Sequence, residues 1–194
     1  MKSARPYTQR RRADAAAETG ARIVQAATAR FFASGEEGTL ESVAADAGVT
    51  VQTILRRFGS KEGLMEACVA QGEAQVAAER DAVTPGHVEG AVDNLLAHYA
   101  AWGERSLWML GLAERSATAA RVVRGGKPLH RAWVARAFGP QLAQVAEADR
   151  PVRLAQLVAV TDVYAWALLR EQLDGDDLRR ATLGLVVALV GGAG

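Results

Sequence analysis

Gln52, Thr53 and Arg56 place three hydrogen-bonding side chains on what their spacing predicts to be one side of a short helix. At roughly 100° per residue, Ile54 and Phe58 fall on the opposite, apolar side. Gln and Arg side chains can each make two hydrogen bonds to one base edge in the major groove of DNA. The chemistry predicted for this segment is therefore the recognition of base edges.

A second short helix should hold this one in place. Residues 40–47 have apolar side chains at helical spacing, and Thr39 can cap their first turn with its hydroxyl. Gly48 permits a left-handed turn, Val49 can fill the corner, and Thr50 can cap the following helix. A glycine-containing turn between two short helices predicts a helix-turn-helix.

Flanking helices complete the pattern. Residues 23–33 carry an amphipathic repeat that Gly35 and Gly38 should end. Ser60 can cap a long fourth helix, and Lys61 would stand beside the free N–H groups of its first turn. A lysine at that position suits a phosphate contact.

The run AAxxxFxxxGxxGT, followed by VAxxAGVTVQTIxxxFGSKEGL, resembles the DNA-binding domain of TetR-type transcriptional regulators over roughly residues 22 to 69. The remainder is similar to the family only in length and helical character. With the roles above, the resemblance gives two expected sets of DNA contacts. The base contacts are expected from Val51, Gln52, Thr53, Leu55 and Arg56, where Val51 or Leu55 would touch thymine methyl groups. The phosphate contacts are expected from Thr39, Thr50, Arg57 and Lys61.

Two positions depart from the family pattern. Many members have Gly where Gln52 stands, and a phosphate-contacting Tyr where Leu55 stands. Leu55 cannot donate a hydrogen bond, so that one contact is missing. This motivates a rival hypothesis, in which a helical dimer binds small molecules or proteins and has lost specific DNA binding.

Composition narrows the class of protein. The chain has 194 residues, of which 49% are hydrophobic, so one or two compact domains can form. Its one cysteine, Cys68, excludes an intramolecular disulfide, and three scattered histidines give no metal-ligand spacing. No phosphate loop or nucleophile motif is present. We therefore expect no catalytic residues, no metal and no cofactor.

The sequence also indicates location and charge. No apolar signal region and no run of about 18 apolar residues is present, which favours a cytoplasmic protein without membrane contact. The net charge is +1, divided as +3 over residues 1–63 and −2 over residues 64–194. We expect residues 1–19 to be a basic flexible arm that can contact DNA, with a disordered solubilising tail as the alternative. Residues 20–63 should form the DNA-binding domain. Residues 64–194 should bind an effector and dimerise.

An all-α fold of about nine helices follows, with a helical bundle after the helix-turn-helix. Beyond Ser60 the predicted helices share apolar periodicity and are separated by Gly, Pro or Asp clusters. They cover residues 60–82, 87–103, 107–114, 129–145, 153–173 and 178–190. Gly125 to Pro128 is expected to form a turn.

The family resemblance implies a ligand cavity in the middle helices. Aromatic and Met side chains suit an apolar effector, and a few polar ones could orient it. Our candidates are His98, Tyr99, Trp102, Trp108, Met109, Glu114 and Trp133. His130, Arg131 and Asp162 are further polar residues in apolar surroundings. For the polar candidates, structural pairing, for instance of Arg131 with an acid, is the alternative. For each aromatic residue, plain core packing is the alternative.

The last two predicted helices are apolar around most of their circumference, which requires burial on more than one side. TetR-type regulators are similar in pairing two such helices across a two-fold axis. The expected dimer interface comprises Leu157, Thr161, Tyr164, Leu168, Leu178, Leu185 and Leu189. The expected partners are a double-stranded DNA operator, a second copy of the chain and a small-molecule effector of unknown identity.

Overall fold

The computed structural model of the protein describes residues 5–32 and 38–191. These residues form ten helices and no strand, which confirms the all-α fold, with one helix more than expected. The first four are α1 (Arg5–Phe32), α2 (Leu40–Ala47), α3 (Val51–Phe58) and α4 (Lys61–Asp81). The others are α5 (Val88–Leu112), α6 (Ala117–Ala137), α7 (Gly139–Leu142), α8 (Arg150–Val160), α9 (Val163–Arg170) and α10 (Gly175–Val190).

The chain divides into two compact units, and the division falls inside α4, between Glu73 and Ala74. The sequence had suggested a boundary ten residues earlier. The first turns of α4 belong with the first unit because Leu64 and Cys68 are buried in its core. Side chains of α1, α2 and α3 complete that core, and Ile23, Val43 and Ile54 are fully buried in it. The buried residues of this core are Ile23, Val24, Ala27, Phe31, Val43, Ala44, Ala47, Ile54, Leu64 and Cys68.

α1 begins at Arg5, so most of the segment expected to be a flexible arm is helical. Two local features explain this correction. Pro6 stands in the first turn, where its missing N–H has no helical partner to lose, and Ala13 and Ala15 to Ala17 favour a helix. Lys2 of the arm and Gly35 of the expected helix end lie outside the described residues.

The second unit has its own core, built from α5, α6, α8, α9 and α10. Two expected breaks are absent from it: α5 runs unbroken through Gly103, and α6 contains Gly125 to Pro128. The buried side chains Trp133 and Val134 keep α6 against the core, and this packing outweighs the local preference for a turn.

One break appears where none was expected. The predicted helix 153–173 is divided into α8 and α9 at Thr161 and Asp162. Asp162 caps α9, because its carboxylate accepts a hydrogen bond from the N–H of Tyr164 at 3.0 Å. The carbonyl of Thr161 instead accepts a hydrogen bond from Tyr99 of α5. These two bonds satisfy the backbone groups that the break releases.

No single helix of the described chain is long and apolar enough to cross a membrane. α8 and α9 together meet that criterion by length and composition only, and they are bent by 45° relative to each other.

Candidate functional site

α3 separates its side chains as the spacing predicts. Ile54 is fully buried, and Val51 and Phe58 pack against the core of the first unit. Gln52 and Arg56 are exposed on the other side. The core therefore fixes which face of α3 is available to a partner.

The turn before α3 has the geometry of a helix-turn-helix. Gly48 has φ of 63°, in the left-handed region that glycine tolerates, and its N–H donates to the carbonyls at the end of α2. The N–H of Val49 donates to the carbonyl of Ala44 at 3.0 Å. Thr50 then caps α3, with its hydroxyl accepting from the N–H of Thr53 at 3.2 Å. The capping roles predicted for Gly48 and Thr50 are thus observed.

Thr53 is less available than Gln52. Its hydroxyl lies 3.0 Å from the Thr50 hydroxyl, and its side chain is half-buried. Leu55 is also half-buried and extends the apolar part of the surface. Among the five expected base-contacting residues, Gln52 and Arg56 are the exposed polar ones.

Besides Thr50, two further expected phosphate contacts stand at helix N-termini. Thr39 caps α2, and its hydroxyl accepts from the N–H of Ser42 at 3.2 Å. Because that bond uses a lone pair, the hydroxyl proton can still be donated to a phosphate. Lys61 lies in the first turn of α4, with its ammonium 5.4 Å from the centre of the Phe31 ring. The ring restrains this ammonium close to the helix N-terminus.

Arg57 turns toward α1 rather than along α3. Its guanidinium lies against the backbone of Gly20, where an added Cβ would stand 2.3 Å from Nη2. The absence of a side chain at Gly20 makes room for this arginine, which remains exposed.

Sequence reasoning missed an ion pair that joins α1 to α2. Arg30 donates two hydrogen bonds to Asp46, at 2.6 and 2.9 Å. The hydrogen bonds from Arg30 hold the pKa of Asp46 below its usual value. Opposite charges sixteen residues apart give no local signal, so only the packing of the two helices reveals the pair.

The model of the bacterial regulatory proteins of the tetR family matches residues 23–68. Two solved structures share the fold. A transcriptional regulator from Rhodococcus sp. Rha1 has a TM-score of 0.69 at 18% identity, with 89% of this chain and 96% of that chain covered. The fatty acid degradation regulator FadR from Bacillus halodurans has a TM-score of 0.52 at 18% identity, with 90% and 95% covered. No curated protein matches the chain.

The first unit is a helix-turn-helix domain of the kind that binds DNA. Residues 23–68 of this unit match the tetR family of bacterial regulatory proteins.

The candidate effector residues lie in the second unit at different depths. Tyr99, Met109 and Trp133 are buried in its interior, whereas Glu114 is exposed. His98, Trp102 and Trp108 are half-buried. Burial, with smaller contributions from Arg80 and His130, lowers the pKa of His98 to about 3.

Polar groups continue through this interior. His130 lies 3.1 Å from the Thr161 hydroxyl through Nε2, and its ring stacks 5.9 Å from that of Trp133. Burial lowers the pKa of His130 to about 4, with Arg80 adding to the shift. Both histidines are therefore neutral at pH 7. Arg131, the other polar candidate on α6, is exposed.

Sequence reasoning overlooked Arg80, which has only 8% of its surface exposed. A signal was available, because Arg80 follows Val76 by four residues and precedes Val83 by three, the spacing of an inward helical face.

The expected dimer residues fall into three groups. Leu157 and Thr161 are buried within their own unit, at 0% and 1% exposure, so they do not reach its surface. Tyr164, Leu168 and Leu185 are exposed apolar side chains on α9 and α10. The last two, Leu178 and Leu189, are half-buried against the core.

Proposed function

We propose that this protein is a homodimeric repressor in the cytoplasm that binds a near-palindromic operator and is released by a small, largely apolar effector. The observation that carries the DNA-binding part is the division of α3, which buries Ile54 and exposes Gln52 and Arg56. Polar donors on the outer face of a helix after a tight turn suit the major groove. The protein acts by binding, without catalysis.

In this proposal the contacts divide by role. Gln52, Arg56 and, less directly, Thr53 read base edges, and Val51 or Leu55 touches thymine methyl groups. Thr39, Thr50, Arg57 and Lys61 hold phosphates, as does the basic N-terminal segment. The phosphate contacts set the register, and the base contacts set the preference.

Exposed apolar side chains on consecutive helices support dimerisation. Tyr164 and Leu168 are 56% and 63% exposed on α9, and Leu185 and Val187 are 42% and 47% exposed on α10. Such side chains gain about 25 cal/mol per Å² when a second copy covers them. A two-fold dimer presents two α3 helices, which reach successive major grooves if they stand about 34 to 36 Å apart or a multiple of that distance.

Dimerisation is tested by light scattering after size exclusion. The wild type should have about twice the 20.5 kDa mass of one chain. Leu168→Glu should give monomers, because a carboxylate cannot be buried at the interface without a partner. Leu129→Glu is the matched control, since Leu129 is equally exposed, at 61%, but lies on α6. A monomeric wild type, or equal masses for both variants, would exclude this interface.

DNA binding is tested by selecting duplexes from a random library and then measuring affinity by fluorescence anisotropy at several salt concentrations. Arg56→Ala should cost about 1 to 3 kcal/mol on the selected site and relax the preference there, whereas Lys61→Ala should weaken binding to every duplex. Arg124→Ala, at an exposed position on α6, controls for the loss of one charge. If Arg56→Ala loses the same binding free energy on selected and random duplexes, Arg56 does not read bases.

Effector action is proposed as a shift between conformers. A ligand held in the second unit would favour a conformer in which the two α3 helices no longer match the groove spacing. Repression is distinguished from activation by a transcription assay on the selected operator with and without the protein.

The second candidate function is a helical dimer that has lost specific DNA binding. Leu55 favours it, because this half-buried apolar residue replaces a donor on the DNA-facing helix. If the protein binds no duplex at low salt, this alternative is supported, because the attraction between basic side chains and DNA phosphates is strongest at low salt.

A further inference from the structure

Arg80 occupies an unusual place for a cation. It lies in the last turn of α4 with 8% of its surface exposed. Its guanidinium carbon is 4.1 Å from the centre of the Trp133 ring and 5.9 Å from that of Tyr99. The aromatic faces attract this charge, yet the Nη1 atom is buried and has no hydrogen-bond partner. One strong donor in the interior is therefore unused.

No carboxylate within residues 5–32 and 38–191 forms an ion pair with Arg80. The two acids beside it in sequence have other partners. Asp81 pairs with Arg136 at 2.8 Å. Glu79 accepts a hydrogen bond from Gln75 at 3.0 Å, and its second carboxylate oxygen lies 3.9 Å from Nδ1 of His98. Burial lowers the pKa of Arg80, and Tyr99 and the charge of Glu79 only partly oppose that shift. A buried cation without a partner destabilises the fold, which calls for a functional reason.

Other buried polar groups near Arg80 also lack partners. The indole Nε1 of Trp133 and the Nδ1 of His98 have no hydrogen bond. Trp133 is 5% exposed and touches Arg80, and the His98 ring lies 5.3 Å from that of Tyr99. Tryptophan and arginine offer only donors, so the group that would satisfy them is an acceptor.

The charge of the cluster defines that acceptor further. His98 and His130 are neutral at pH 7, because burial holds the pKa of each near 3 and 4. Arg80 thus supplies a single positive charge among aromatic and aliphatic side chains. A singly charged, planar carboxylate matches one guanidinium, whereas a phosphate dianion would keep an uncompensated charge in the interior.

We infer that Arg80 is the anchor for the carboxylate of a small monocarboxylic acid, with Trp133 as a second donor and the surrounding aromatic side chains against its apolar body. This inference rests on the proposed function, since it assigns a chemical class to the effector of the second unit. The acid would be an aromatic or medium-chain aliphatic monocarboxylate. Its binding would neutralise the charge of Arg80.

The test needs no DNA, because all four tryptophans lie between residues 102 and 166 and report binding by their fluorescence. Benzoate, phenylacetate and octanoate are titrated into the full chain beside benzamide, phenylacetamide and octanamide, with inorganic phosphate as a further probe. At least one acid should bind ten-fold or more tightly than its amide and should raise the melting temperature. Phosphate should do neither.

Arg80→Met tests the anchor, and Arg170→Met is the matched control. Arg170 also stacks on a tryptophan, Trp166, at 4.5 Å, but it is partly exposed and pairs with Glu104. Arg80→Met should abolish the preference for the acid while the melting temperature without ligand stays equal or rises. Arg170→Met should keep the preference.

Three results would overturn the inference. These are equal binding of every acid and its amide, a preference for phosphate, and a lower melting temperature for Arg80→Met together with unchanged acid binding. Failure of the proposed function is separate, because it would appear as absent DNA binding by the wild type in the anisotropy measurement.

Discussion

The hydroxyl of Tyr99 donates a hydrogen bond of 2.8 Å to the carbonyl oxygen of Thr161, at the point where α8 ends and α9 begins. Tyr99 is 5% exposed and Thr161 is 1% exposed, so water cannot replace this bond. The pair joins α5 to the break before α9, which is one of the two helices that carry the proposed dimer surface.

Tyr99→Phe should therefore lower the free energy of unfolding by about 1 to 3 kcal/mol, because the Thr161 carbonyl is left buried without a donor. Chemical denaturation followed by circular dichroism measures this. Tyr164→Phe removes the same hydroxyl from a side chain that is 56% exposed, and it should change stability by less than about 0.5 kcal/mol. Equal effects would show that the Tyr99 bond contributes nothing specific.

Gly103→Ala should destabilise the second unit. An added Cβ would stand 2.4 Å from two ring atoms of Trp166, so α5 and α9 would have to separate. Overpacking of this kind costs about 1 to 3 kcal/mol. Gly111→Ala lies on the same helix with nothing within 4 Å of its new Cβ, and should stabilise by up to about 1 kcal/mol. Thermal unfolding of both variants gives the comparison, and a stabilised Gly103→Ala would contradict the contact.

Acidification should destabilise the protein before its carboxylates titrate. The pKa of His98 is lowered to about 3 and that of His130 to about 4, from 6.5, chiefly by burial. The unfolded chain therefore binds more protons than the folded one between about pH 6.5 and 4, and stability falls as the pH falls through this range. Each histidine contributes a slope of up to about 1.4 kcal/mol per pH unit there.

Denaturant titrations from pH 7.5 to 4.5 measure that slope. The double variant His98→Gln with His130→Gln should flatten it, whereas His87→Gln, at an exposed position, should not. An unchanged slope in the double variant would assign the acid sensitivity to other groups.

Leu55→Tyr should strengthen binding to all duplexes several-fold, because a phenol hydroxyl can donate one hydrogen bond of about 0.5 to 1.5 kcal/mol to a phosphate. The salt dependence should not change, since the added group is neutral. Leu55→Phe is the control, with the same ring and no hydroxyl. If both variants gain equally in the anisotropy measurement, the ring rather than the hydroxyl is responsible.

Local signals in the sequence were sufficient for the helix-turn-helix of the first unit. The caps at Thr39, Thr50 and Ser60, the left-handed Gly48 and the buried Ile54 are all found where the pattern predicts them. Each of these features depends on residues within a few positions of one another. Short-range hydrogen bonds and helical periodicity therefore specified the helix-turn-helix before any long-range contact was known.

The second unit depended on contacts that the sequence does not record. Gly125 to Pro128 lie inside α6 despite their preference for a turn, because Trp133 and Val134 pack into the core. The break at Thr161 forms where Tyr99, 62 residues away, binds the freed carbonyl.

Composition, periodicity and capping signals thus determined the all-α fold and the helix-turn-helix, and the motifs of residues 22–69 indicated a TetR-type DNA-binding domain, whose family model matches residues 23–68. Only the tertiary structure decided that Arg80 is buried without forming an ion pair, and that Leu157 and Thr161 lie inside the core. The same holds for the ion pair of Arg30 with Asp46. The physical reason is the separation in sequence over which each effect acts. Capping and periodicity act within one or two helical turns, whereas burial and charge pairing depend on which distant helices pack together.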